Sequence, residues 1–237
     1  MRDGGTSARA LVARVRRRPG RAPLDPRDAL AARLALLNPG TLARATGHPV
    51  ILHRHLTAVG LPVPRLHGVV GRAGGWSAAG ARPVIGRAEA ARFLAGLPGD
   101  IRLQPNGGAA RVVGRDGGDG DLDALVAELF APGGPDLVVV QESRGLGPPA
   151  RVVTAVGDDG VPRVAHRCAA TDAAADALAC RAATVLMPQR ALAWEIAASA
   201  DGPVILSADG RWEGAPGLDA AAALAALDAA LAQGMAA

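Results

Sequence analysis

The chain has no tyrosine and no lysine, only two cysteines, and 2% aromatic residues. Each shortage excludes something. Platforms that stack nucleic-acid bases need aromatic side chains in quantity, so a base-stacking binder is excluded. Two cysteines in 237 residues cannot build a disulfide scaffold and point to a reducing compartment. Without lysine there is no Walker-type phosphate loop. No apolar run approaches the ~20 residues of a membrane-spanning helix. No charged-then-apolar leader with a small-residue cleavage site is visible. The expectation is a cytoplasmic protein, and the Ala/Arg/Gly bias suggests a GC-rich bacterial genome.

Hydrophobic residues make up 49% of the chain and charged residues 20%, enough for a sizeable core of Leu, Val and Ala in one large domain or two small lobes. All 26 basic residues are arginine, so a net charge of only +4 lifts the pI to about 10.6. The charge is uneven. Residues 1–44 hold 10 Arg and 3 Asp, a balance of +7, and the remainder holds 16 Arg against 19 acids, a balance of −3. The densest basic stretch, Arg14–Arg21 (RVRRRPGR), reads either as a site for an anionic partner, nucleic acid or lipid headgroups, or as a solvated terminus.

The expected organisation is a basic flexible arm over 1–23, an N-terminal helical segment over 24–65, a central lobe over 66–140 and a C-terminal lobe over 141–237. Asp25 caps a first helix with Pro26 at its first position and Leu30, Leu34 and Leu37 on one face. A second helix spans Pro49–Val59, with Gly60 suited to its C-terminal cap. Leu66–Val70 is a short strand, and 71–83 a Gly/Ala-rich loop. Asp100–Gln104 and Ala110–Val113 are strands joined by the turn Pro105-Asn106-Gly107-Gly108, and Leu137–Gln141 is a buried strand. Strands at Ala150–Val156 and Arg163–Cys168, a helix over Asp172–Ala183, a hairpin of Leu192–Ser199 with Pro203–Leu206, and a closing helix Leu218–Leu231 complete the pattern. Arg102 is read as facing away from Gln104, which leaves Arg111 as the better-placed cation.

Few residues announce chemistry by themselves. The five histidines read as surface or helix-edge residues without a metal set. Cys168 and Cys180 read as buried thiols, and Ser143 lacks a nucleophile-elbow context. What remains is an ordered series: GLPVP at 60–64, LQPNGG at 103–108, VVVQES at 138–143, ARVVTAV at 150–156 leading to AHR at 165–167, and WEIAASADGPVILSAD at 194–209.

In that order, over about residues 46–212, the series resembles the ATP-grasp superfamily, in particular the sugar-transfer-associated group related to alpha-L-glutamate ligases. The resemblance implies an α/β (α+β) fold of two lobes, an antiparallel sheet in the C-terminal lobe, and ATP with Mg2+ between the lobes. It implies phosphate-facing turn residues at Gln104, Gly107, Gly108 and Arg111, an adenine hinge at Val140, Gln141 and Glu142, phosphate arginines at Arg151 and Arg167, and metal ligands at Glu195 and Asp209. The implied activity is carboxylate activation through an acyl phosphate, captured by an unidentified acceptor, possible in polysaccharide or natural-product biosynthesis. The alternative is a degenerate homologue acting as a binding or scaffolding partner. Phosphoryl transfer needs cations around the triphosphate because charge spreads over its oxygens, and arginine binds them bidentately.

The chain departs from the family pattern at charged positions. Gln104 stands where the family has a lysine, another lysine position falls near His48-Pro49, and Ser207 stands where a carboxylate bridges two metal ions. One charge 4 Å from a phosphate is worth roughly 4 kcal/mol at an effective dielectric near 20. The segment between Arg167 and Trp194 is also short for the family. Arg151 and Arg167 equally read as solvent-facing strand residues, and Glu195 and Asp209 as hairpin-edge charges.

Overall fold

Asp25 accepts a hydrogen bond from the Arg27 backbone N–H, and Pro26 opens helix α1 (Pro26–Leu37), as the sequence pattern requires. In the computed structural model the described residues are 24–40, 42, 46–106, 108–114, 119–168, 171–215 and 217–233. The basic arm over 1–23 and Gly107 of the Pro-Asn-Gly-Gly turn lie outside them.

After α1 come α2 (Pro49–Ala58), β1 (Leu66–Gly71), β2 (Gly75–Ser77), β3 (Pro83–Val84), α3 (Gly86–Ala95), β4 (Ile101–Pro105), β5 (Arg111–Val113), α4 (Asp119–Leu129) and β6 (Leu137–Glu142). The second half holds β7 (Ala150–Val156), β8 (Pro162–Arg167), α5 (Ala173–Val185), β9 (Ala191–Ser199), β10 (Gly202–Asp209) and α6 (Ala220–Gln233). The stretch 71–83, read as a loop, carries β2 and β3. They are three and two residues long, and backbone pairing of β2 with β1 and of β3 with β2 makes them strands, not side-chain alternation.

Two sheets result, both antiparallel. The first has six strands in the order β3-β2-β1-β6-β4-β5, and the second has four in the order β10-β9-β7-β8. On one face of the first sheet, Val70, Ile101, Leu103, Val138 and Val140 pack under α3 and α4. The second sheet is covered on both faces. Val153, Ala155, Ala191 and Ala193 pack against α1 and α6, whereas Val152, Val156, Leu192, Trp194 and Ile196 pack against α2 and α5.

Both N-terminal helices therefore belong to the core of the second sheet. Asn38, the C-cap of α1, ties that end down. Its buried amide donates to the Ala191 and Gly210 carbonyls at 2.6 and 2.8 Å and accepts from the Arg190 and Ala191 N–H groups at 3.0 and 3.1 Å. Helix α2 also reaches the first sheet, where the Arg54 guanidinium lies over the Trp76 ring at 5.2 Å. Among the described residues no helix is long and apolar enough to cross a membrane.

Four side chains differ from the sequence expectation. His53 and His67 are buried, not surface residues, because α2 and β1 face packed structure at those points. His53 donates from Nε2 to the Pro64 carbonyl at 2.9 Å. Cys168 is exposed because it sits just past the end of β8, and Cys180 is only partly buried, with burial pushing its thiol up.

Candidate functional site

Successive residues of a strand face opposite sides, and residues directly opposite in a ladder share a side. In β4 and β6 this places Arg102 opposite Gln141 and Gln104 opposite Val139 on one face, with Ile101, Leu103 and Val140 under the helices on the other. The same rule in the second sheet puts Arg151 and Ser207 both opposite Glu195. That face is covered by α1 and α6 at its Ala191–Ala193 end. At its Glu195 end it meets the first sheet.

The contact between the sheets is an arginine on a carboxylate. Arg102 Nη2 donates to Glu195 Oε2 at 2.8 Å and to Gln104 Oε1 at 2.9 Å. Ser207 Oγ donates to the same Glu195 Oε2 at 2.8 Å, and Arg151 Nη2 donates to Oε1 at 3.3 Å. Gln104 is held in turn by its own hairpin, its Nε2 donating to the Gly108 carbonyl at 3.0 Å. Burial pushes the Glu195 carboxyl up. The Ser207 hydroxyl and the guanidinium groups of Arg102 and Arg151 outweigh that and hold it below the ordinary glutamate range.

Arg102 is the member of this cluster that the sequence reading set aside, and its placement there is corrected. It lies on the same face as Gln104, as a separation of two along a strand demands. Arg111 is the one that faces away. It sits opposite Leu103, on the α4 side, and pairs with Glu128 at 2.5 Å beside a cavity of about 270 Å³. The period-two rule applied to 102 and 104 was the signal that finds Arg102.

The remaining residues are dispersed. Arg167 lies opposite Val152, on the α5 side, and pairs with Asp176. It is therefore on the other face of the sheet from Arg151 and Glu195. Asp209 lies opposite Ala193 and so shares the Glu195 face, but it is exposed and its Oδ1 accepts from the Arg211 N–H at 2.7 Å. At the hinge positions, Val140 points into the α3/α4 core, and its backbone sits in a ladder with both β1 and β4. The Glu142 N–H donates to the Arg65 carbonyl at 2.9 Å. Gln141 alone of the three is buried on the intersheet side, and its Oε1 has no partner among the described residues. Near it, burial pushes the His67 imidazole down, partly countered by Glu142.

These residues do not fit a magnesium ion. Magnesium needs oxygen ligands with open lone pairs in near-octahedral array. Both Glu195 oxygens already accept from cations, Ser207 points its hydroxyl at that carboxylate, and among the described residues no three His, Cys, Asp or Glu side chains gather as a metal group. The positive charge at Glu195 is supplied by guanidinium instead.

No family model and no curated protein matches the chain. Solved structures do match. The chain is similar to N5-carboxyaminoimidazole synthase from Aspergillus clavatus, solved with ADP and 5-aminoimidazole ribonucleotide, at a TM-score of 0.55 and 13% identity, covering 79% of this chain and 52% of that one. A RimK domain ATP-grasp protein from Sphaerobacter thermophilus aligns at a TM-score of 0.46 and 18% identity, covering 83% and 68%. D-alanine–D-alanine ligase from Bacillus anthracis, complexed with ATP, aligns at 0.46 and 10%, covering 80% and 66%. The chain spans about half the length of the Aspergillus enzyme. The architecture, mixed α/β with two antiparallel sheets in contact through Arg102 and Glu195, is ATP-grasp-like.

Proposed function

We propose that this chain is a catalytically degenerate ATP-grasp homologue. In this reading its intersheet cleft is a magnesium-independent binding site for an anionic, nucleotide-type ligand. The observation that carries the reading is the engagement of Glu195 by Arg102, Arg151 and Ser207. A carboxylate so engaged is a weakened ligand for a metal ion, and without the metal the γ-phosphoryl transfer loses its main charge stabilisation. The arginines that remain suit phosphate recognition without catalysis. A role as a binding or scaffolding partner in polysaccharide or natural-product assembly follows from the sequence resemblance.

A second reading, an active ATP-dependent carboxylate ligase forming an acyl phosphate, is favoured by one observation: Asp209 shares a sheet face with Glu195. In it Arg151 would contact the phosphates, and Glu195 would release Arg102 to take up magnesium with Asp209. Calorimetry of the full chain with ATP, in EDTA and then in excess magnesium, separates the two. The degenerate reading expects the same affinity in both and no ADP formed. Binding or ADP formation that appears only with magnesium would overturn it in favour of the ligase.

A further inference from the structure

We propose that Arg102 and Arg151 form a phosphate-binding site in which Glu195 is the internal occupant, a carboxylate that an incoming phosphate group must displace. This rests on the reading of the cleft as a magnesium-independent anion site.

Three donors from three different strands converge on one carboxylate: Arg102 from β4, Arg151 from β7 and Ser207 from β10. Two come from one sheet and the third from the other, so the carboxylate sits where the sheets meet. Two guanidinium groups and a hydroxyl gathered in this way form an oxyanion site, whichever anion fills it.

Glu195 fills the site incompletely. The Nε and Nη2 hydrogens of arginine form a fork that grips two oxygens side by side. Arg102 uses Nη2 twice, on Glu195 and Gln104, while its Nε is buried with no partner among the described residues. The Arg102 side chain is only 5% exposed, so water does not readily serve that prong. Directly across the ladder, the buried Gln141 Oε1 also lacks a partner among the described residues. The site therefore holds one unused donor and one unused acceptor.

A carboxylate has two oxygens, and one of them is turned to Arg151. A phosphate monoester or inorganic phosphate has a third oxygen for Arg102 Nε. Its monoprotonated form also carries an O–H that can donate to Gln141 Oε1. A simple carboxylate ion has no such donor. The unmatched pair thus selects phosphate over carboxylate, and Glu195 acts as a built-in competitor that sets the affinity.

The test is calorimetric titration of the full chain with inorganic phosphate and, separately, acetate, both in EDTA. Glu195→Gln keeps the side-chain shape and removes the competing charge. It should bind phosphate at least about tenfold more tightly than the unaltered chain, because the like charge beside the incoming anion is gone. Acetate should gain less than phosphate. Adding Arg102→Met to Glu195→Gln should abolish the gain. Phosphate binding no tighter in Glu195→Gln, or an equal gain for acetate, would overturn the proposal. Circular dichroism establishes folding first. If Glu195→Gln does not fold, Glu195→Ala decides: it removes the competing carboxylate and keeps all three donors, so phosphate binding should tighten at least about tenfold, and unchanged affinity would overturn the proposal. Failure here leaves magnesium-independent ATP binding intact, whereas failure of the underlying reading shows as ATP binding or turnover that requires magnesium.

Discussion

Arg102 and Glu195 are 5% and 27% exposed at their side chains, which puts their pairing in the regime where losing one partner costs more than the pair contributes. Arg102→Met should therefore lower stability by about 3 kcal/mol in denaturant unfolding. Adding Glu195→Leu should recover much of that loss, because two apolar side chains replace two compensated charges. A single-variant loss under about 0.5 kcal/mol would show the pair to behave like a surface bridge. The same carboxyl links stability to pH. Its folded pKa lies below the unfolded 4.5, so the folded state binds fewer protons than the unfolded one in that range. The contribution is complete above 4.5 and is lost as pH falls through the lowered folded value. Acid titration of the melting temperature should show this loss, and Glu195→Gln should flatten it. An unchanged acid limb in that variant would remove Glu195 as the titrating group.

Among the elements, the hairpin β1–β2 and the α1 terminus depend on single residues. A Cβ on Gly75 would lie 2.0 Å from the Val69 carbonyl oxygen, a backbone atom that cannot turn aside. Gly75→Ala should thus force the hairpin apart and cost about 1–3 kcal/mol, seen as a lowered denaturation midpoint. Asn38→Ala should cost about 3 kcal/mol or more, since it strands the buried groups of Ala191 and Gly210 that its amide satisfies. Either variant melting with the unaltered chain would contradict these accounts. At this scale the sequence is most legible where side chains alternate or repeat: α1, β4, β6, β7, β9 and α6 follow from apolar spacing and from turn or cap residues. It is least legible in 71–83, where glycine supplies backbone to a ladder and no side-chain pattern reports it. The faces of β4 were legible in principle, since 102 and 104 differ by two. The contact that gives Arg102 its meaning was not, because Glu195 lies 93 residues away on another sheet.

For the whole molecule, the order of the motifs carries the ATP-grasp-like fold, and both sheets are present with antiparallel pairing throughout. Motif order does not report how charges have been exchanged between the sheets. Glutamine at the expected lysine position and serine at the expected carboxylate position read as losses one at a time. Together with Arg102 they form one arrangement: Gln104 holds the guanidinium, the guanidinium crosses to Glu195, and Ser207 completes the carboxylate's shell. Arg167 and Arg111 serve other pairs on outward faces, with Asp176 and Glu128, and stand outside that arrangement. The proposal most in need of a test is that guanidinium stands in for magnesium where the two sheets meet. The most direct measurement is the affinity of the full chain for ATP in EDTA against excess magnesium. Equal dissociation constants with no ADP released are expected; tight binding or ADP release that needs magnesium would contradict the proposal.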